Sequence, residues 1–395
     1  MGEDPVGRAL SEVLARMEQT PPGTVADYIP ELASADVNDL SISAASASGH
    51  VYSAGNVDAT FTIQSISKPF VYALVLSGMG VDRLHEHVGF EPSGEPFNAI
   101  SLDDEGRPAN PMINAGAIVT SALVAGTSVE ERFETIRGVM SAFAGRDLVM
   151  DQKVYESESS TGDRNRALAY LTRATGRLPR DAENATDVYF RQCSLLVTTA
   201  DLAVMGATLA NGGTNPVTGF QVVEPAVARR TLSLMASCGM YDHAGEWAYR
   251  VGIPAKSGVS GGIVAVKPGQ FGIGVYSPGL DEAGNSSRGV AALTLLSDHF
   301  GLHLLEQPRS HIDPIIDMVR DTPTSLTIRL RGEIAFVAAE HVIHEIEAAL
   351  GEQALTSVTV DLTAVTAVTP AAEGMLRTAG DRASAQGCEF AIVRP

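Results

Sequence analysis

The sequence predicts an α+β protein: one antiparallel sheet built from both ends of a large domain, a helical lobe inserted between those ends, and a small α/β domain behind. Three observations predict it. Alternating strand patterns fill residues 40–65 and return at 255–276, with helical periodicity between them. Pro308, Pro314 and Pro323 then break any regular pattern. Beyond them the chain alternates strand, helix, strand, helix, strand. The expected boundaries are 1–305 for the first domain, 306–324 for a linker and 325–395 for the second domain.

Taken in order, residues 5–20 form an amphipathic helix. LSISAAS, a Ser48-Gly49 turn, HVYSAG and ATFTIQS follow as three antiparallel strands. The helical stretch runs from about 66 to 245. It is punctuated by EPSGEPFN, DDEGRPANP, SESSTGDRN and ANGGTNPVTG, all rich in loop formers. AKSGVSGGIVAVK and FGIGVYS make a hairpin around Pro268-Gly269, and SRGVAALTLLSDHFGLHLL closes the domain as a helix. In the second domain TSLTIRLRG, SVTVDLT and CEFAIV read as strands, and FVAAEHVIHEIEAAL and PAAEGMLRTAGDRASAQ as helices.

Composition narrows the function. A chain of 395 residues with 45% hydrophobic content fills two cores comfortably. A net charge of −19 argues against nucleic acid, whose phosphates need clustered cations. No apolar run reaches membrane-spanning length, so no membrane association is expected. The N-terminal segment lacks the basic and apolar regions of a secretory signal. Cys193, Cys238 and Cys388 are odd in number and scattered, which suits neither a disulfide framework nor a zinc site. A cytoplasmic protein with three buried thiols is expected.

The chemistry is carried by lysine. Only Lys68, Lys153, Lys256 and Lys267 occur among 28 basic residues, so arginine serves almost wherever a positive charge is enough. A lysine kept against that bias points to a task arginine cannot do, such as acting as a neutral base. Lys68 lies in Ser65-Ile66-Ser67-Lys68, and Lys256 in Lys256-Ser257-Gly258. Together these are the two halves of a lysine-assisted serine nucleophile. Pro69 belongs in the first turn of a helix, so that helix should open near Ile66 with Ser65 at its N-terminus. Lys68, three residues on, shares a face with Ser65 and can take its proton. Lys256, on the strand beneath, is expected to keep Lys68 neutral by like-charge repulsion. Gly258, Gly261 and Gly262 leave that strand open to a ligand backbone. Each element has a plainer reading: Ser65 as a helix N-cap, the glycines as a bulge or a close-packing device.

Seven strings resemble the serine-dependent glutaminases, which share the fold of the penicillin-recognising β-lactamases. They are ADYIPEL (26–32), FTIQSISKPF (61–70), NPMINAGAI (110–118), SESSTGDRNRALAY (157–170), DVYFRQCS (187–194), CGMYDHAGEWAY (238–249) and VGIPAKSGVSGGI (251–263). Their order and spacing agree over about residues 20–300. The resemblance implies hydrolysis of L-glutamine to L-glutamate and ammonia through an acyl-serine. By the same resemblance Ser65 is the nucleophile and Lys68 its base. The N–H of Val259 joins that of Ser65 in an oxyanion hole. Tyr241 relays a proton to the departing ammonia. Tyr28, Asn114, Glu158, Asn165 and Tyr189 hold the amino and carboxylate ends of the substrate. These residue types suit a zwitterion, since a carboxylate pairs with an ammonium while amides and phenols bond a carboxylate. Singly, each would pass for a loop amide, a solvated charge or a core aromatic; in register they form a site. The family implies a homodimer or homotetramer and no metal or organic cofactor.

The second domain resembles the sulfate-transporter and anti-sigma-antagonist (STAS) fold, through SVTVDLTAVTAVTP followed by a helix. Switching members phosphorylate a serine at that helix N-terminus. Pro370 stands there in this chain, and neighbouring Thr366 and Thr369 are read as unmodified. The chain ends directly after the strand at 389–393, so the domain is expected to lack its last helix. A role in regulation or in binding a protein partner follows. His85-x-His87 has no companion carboxylate or thiol to make a metal site, and a β-lactamase Ser-Asp-Asn element is missing, which disfavours β-lactam hydrolysis. Two alternatives stay open: another cytoplasmic acyl-serine amidohydrolase, and an inactive glutamine-sensing module coupled to the STAS-like domain.

Overall fold

The computed structural model describes residues 5–94, 99, 102–306, 314–334, 336–352 and 355–394. The chain divides into two compact units, Met1–Gln307 and Pro308–Pro395.

The first unit is built on a five-stranded antiparallel sheet. Its order is Val51–Gly55, Ser41–Ser46, Phe271–Tyr276, Gly262–Lys267, Ala255–Ser257, so the two ends of the unit do supply one sheet. Side chains alternate between its faces. Ile263, Ala265, Ile273 and Val275 pack on one face against Leu10, Leu14 and Leu293 from helices Pro5–Met17 and Ser287–Phe300. Val264 and Val266 point to the other face and join Ile63, Ile66, Phe70 and Met205 in the core of the helical lobe. Gly272 and Gly274 let helix Thr199–Ala210 lie directly on the sheet. A Cβ on Gly272 would stand 2.0 Å from the Ala207 nitrogen, and one on Gly274 2.2 Å from the Thr199 oxygen.

The third strand expected at ATFTIQS is reduced to Phe61–Thr62, which pairs with Leu196–Val197 outside the main sheet. The reason lies just downstream, where Gln64 adopts a left-handed backbone and turns the chain away. The three cysteines are free and buried. Among the described residues no helix is long and apolar enough to cross a membrane.

The second unit has a four-stranded sheet in the order Glu389–Val393, Ser357–Val368, Ser325–Ile334, Ile315–Thr322. Strand Ser357–Val368 runs parallel to both neighbours, and Ile315–Thr322 closes the edge antiparallel. Helices Phe336–Glu352 and Pro370–Ala385 share a core with Leu326, Ile328, Val358 and Val360. The linker expected over 306–324 needs correcting, because Ile315–Thr322 is a strand of this sheet. Pro314 and Pro323 flank it, which an edge strand tolerates because its outer N–H groups need no partner. Pro308 lies outside the described residues. The Thr369 hydroxyl accepts from the Ala372 N–H and so caps the helix that Pro370 opens.

Candidate active site

The helix expected to open near Ile66 opens two residues earlier, as a 3₁₀ turn over Gln64–Ser67 that runs into the α-helix Lys68–Met79. Pro69 falls in the first α-helical turn. In a 3₁₀ turn side chains three apart eclipse, which aligns Ser65 with Lys68. Ser65 is 5% exposed and Lys68 1%. Lys68 Nζ donates to Asn114 Oδ1 at 2.6 Å and to the Met112 carbonyl at 3.3 Å. Burial lowers its pKa from 10.5 to about 7.

Two non-glycine residues take positive φ among the described residues: Gln64 at +49° and Tyr241 at +56°. Such backbone costs on the order of 1–3 kcal/mol each, and both belong to this site. Gln64 precedes Ser65. The Tyr241 hydroxyl bonds to Ser65 and donates to the Ser257 carbonyl at 3.0 Å. Burial pushes the phenol of Tyr241 well up.

A cavity of about 330 Å³ opens beside the nucleophile. Tyr28, Ser65, Asn114, Glu158, Asn165, Tyr189 and Val259 all line it, so most of the residues anticipated from sequence meet there. Glu158 is 6% exposed; its Oε1 accepts from Tyr28 Oη at 2.8 Å and from Gln64 Nε2 at 3.1 Å. Burial raises its pKa, against those two hydrogen bonds. No salt bridge reaches it among the described residues. Asn114 is the hub of the opposite wall. Its Oδ1 accepts from Lys68 and from Tyr189 Oη at 3.2 Å, and its Nδ2 donates to Asn165 Oδ1 at 3.0 Å. Tyr28 stands at the mouth, 47% exposed, with only its hydroxyl end directed inward.

Val259 sits in the turn after strand Ala255–Ser257. Among the described residues no backbone acceptor takes its N–H or that of Ser65. The neighbouring glycines pack against the residue that follows Ser65. A Cβ on Gly258 would lie 3.1 Å from Ile66 Cγ1 and one on Gly262 2.8 Å from Ile66 Cδ1, so both glycines make room for the turn that carries Ser65. Their work is close packing of protein on protein, and the expectation that they leave the strand open to a ligand is corrected accordingly.

Lys256 lies beside Tyr241. It is fully buried, donates to the Ser257 carbonyl at 2.7 Å and lies 4.2 Å from the centre of the Tyr241 ring. Burial, with the charge of Lys68, drives its pKa well below the ordinary lysine value. Burial is the larger cause for both amines, with like-charge repulsion from Lys68 second at Lys256.

Sequence reasoning missed Gln64 and Cys193. Gln64 orients Glu158, and its position next to Ser65 was the available clue. Cys193 lines the cavity, with burial raising its thiol to about 12; nothing in its sequence neighbourhood separates it from a core cysteine. His85 and His87 are hydrogen-bonded to Tyr72, Val88 and Arg177. Among the described residues no group of three His, Cys, Asp or Glu side chains is placed to hold a metal ion.

Comparison with known proteins agrees with this geometry. Residues 23–305 match the family described as Glutaminase, and residues 316–395 match the STAS domain. A glutaminase of Corynebacterium glutamicum is 46% identical over 393 residues, covering 99% of this chain and 94% of that protein. A glutaminase of Trichormus variabilis is 49% identical over 303 residues, covering 76% and 91%. Among solved structures, Mglu in its native form superposes with a TM-score of 0.87 at 39% identity over 100% of both chains. The probable glutaminase ybaS superposes at 0.75 and 39%, covering 78% of this chain and 100% of that one. The chain belongs to the glutaminase family and carries a C-terminal STAS domain.

Proposed function

We propose that this chain hydrolyses L-glutamine to L-glutamate and ammonia with Ser65 as the acylated nucleophile and Lys68 as its base. The observation that carries the substrate is Glu158, a buried carboxylate without a salt bridge among the described residues, in the cavity that holds Ser65. A buried charge of this kind calls for a counterion, and the α-ammonium of glutamine supplies one. Asn114, Asn165, Tyr28 and Tyr189 then bond the carboxylate end and hold the side-chain amide over Ser65. A glutamate side chain would bring an anion where a neutral amide belongs. Mglu has itself been solved in a glutamate form.

Ser65 Oγ gives its proton to neutral Lys68 Nζ as the Oγ–C bond forms. The oxyanion faces the N–H groups of Ser65 and Val259. The C–N bond then breaks, and the nitrogen leaves as ammonia with a proton from Tyr241, which the Lys68 ammonium replaces. Water adds to the γ-glutamyl ester, Lys68 takes its proton, and glutamate is released as Ser65 regains a hydrogen. No step calls for a metal or organic cofactor.

Ser65→Ala is expected to abolish ammonia release from glutamine while leaving the melting curve intact; near-native turnover would refute the nucleophile. Lys68→Arg is expected to be nearly as damaging, because arginine stays protonated. The same reading makes the protein a cytoplasmic homodimer or homotetramer whose second unit contacts a protein partner. Three buried free thiols suit a reducing compartment. Light scattering reads the oligomer. Removal of residues 308–395 tests the second unit, whose role is excluded if activity, assembly and response to effectors all stay unchanged.

A further inference from the structure

Lys256 has no task in these steps, yet its amine is buried completely. In a chain with 24 arginines among its 28 basic residues, a lysine placed there calls for a reason. Its strand partner is Val264, a member of the helical-lobe core, so the amine rises on the face of the sheet that carries the Ser65 turn. There it meets Tyr241 twice. Nζ lies 4.2 Å from the centre of the ring, and it donates at 2.7 Å to the Ser257 carbonyl, which also accepts the Tyr241 hydroxyl at 3.0 Å. A carbonyl oxygen has two lone pairs, so one acceptor sets the amine and the phenol side by side. Tyr241 needs such support, because at φ +56° its backbone is strained and stays there only if its surroundings over-determine it.

We infer that Lys256 is a positioning residue for Tyr241: its amine, packed on the phenol ring and bound to the carbonyl that also takes the phenol hydroxyl, fixes the strained turn so that this hydroxyl meets Ser65. The inference rests on the roles proposed above for Ser65 and Tyr241. Lys256 is not among the residues lining the substrate cavity, so it acts on turnover and leaves substrate binding alone.

The test compares Lys256→Met, Lys256→Gln, Tyr241→Phe and the double variant Tyr241→Phe/Lys256→Met, by kcat and KM for ammonia release across pH. Lys256→Met is expected to lower kcat by about 10²-fold, the cost of misplacing a reacting group by roughly 1 Å, with KM little changed. Lys256→Gln, which returns an N–H donor to the Ser257 carbonyl, recovers part of the loss. In the Tyr241→Phe background Lys256→Met costs nothing further, since the hydroxyl it served is gone. The acid limb of the pH profile stays in place. Losses that multiply in the double variant would overturn the inference, as would an acid limb moved to higher pH, the mark of a charge acting on Lys68. If Lys256→Met does not fold, Lys256→Gln carries the same comparison in both backgrounds. Near-native kcat in Tyr241→Phe sinks the proton-relay reading itself; impaired Tyr241→Phe beside near-native Lys256→Met sinks only the positioning role.

Discussion

Replacing Lys68 by methionine is expected to destroy activity and stabilise the fold. The native chain releases the Lys68 proton near pH 7, whereas the unfolded chain keeps it up to about 10.5. Between those values the unfolded state binds more protons, so this lysine's contribution to stability rises with pH across the window. At about 1.4 kcal/mol for each pH unit, the full penalty below pH 7 is on the order of 5 kcal/mol. Methionine removes it and fills much the same volume. Asn114 Oδ1 keeps Tyr189 as a donor, whereas the Met112 carbonyl loses the Lys68 amine, at a cost of about 1–3 kcal/mol. The net gain near pH 6 is then roughly 2–4 kcal/mol. Near pH 9 the penalty in the wild type has fallen to about 2 kcal/mol and the gain vanishes. Urea unfolding followed by fluorescence reads the first unit alone, because Trp247 is the single tryptophan and is buried there. A variant less stable than wild type at pH 6, or a difference that ignores pH, would refute the reasoning. In the wild type the same pKa predicts that kcat/KM drops about tenfold per pH unit below roughly 7.

Two further outcomes follow from the site. Glu158→Gln removes the charge proposed to hold the substrate ammonium, so KM for glutamine should rise about 10–100-fold, the worth of a charge-assisted hydrogen bond (roughly 1.5–3 kcal/mol); an unchanged KM would place the ammonium elsewhere. Gly262→Ala puts a Cβ 2.7 Å from Phe61 and 2.8 Å from Ile66. The overpacking should cost about 1–3 kcal/mol in urea unfolding and lower kcat through the displaced Ser65 turn, and a variant equal to wild type in both would contradict the close-packing role.

Much of this was legible in the sequence because it is local. The Ser65–Lys68 spacing is one turn of helix, the rarity of lysine marked both amines, and period-two runs marked the sheet at both ends of the first unit. What escaped depends on distant neighbours. The left-handed backbone of Gln64 and Tyr241 is imposed by packing around them, and neither residue type signals it. Gly258 and Gly262 look like room for a ligand until Ile66 is seen against them. That Lys256 also packs on the Tyr241 ring cannot be read from the strand pattern around it. Strand Ile315–Thr322 was hidden by its flanking prolines and its polar, exposed edge.

The central claim is that glutamine passes through an ester on Ser65. Acid quenching during turnover, followed by peptide mass spectrometry, should find a γ-glutamyl group on the peptide that carries Ser65, and none in Ser65→Ala. An adduct on another side chain, or steady ammonia release by Ser65→Ala, would contradict it.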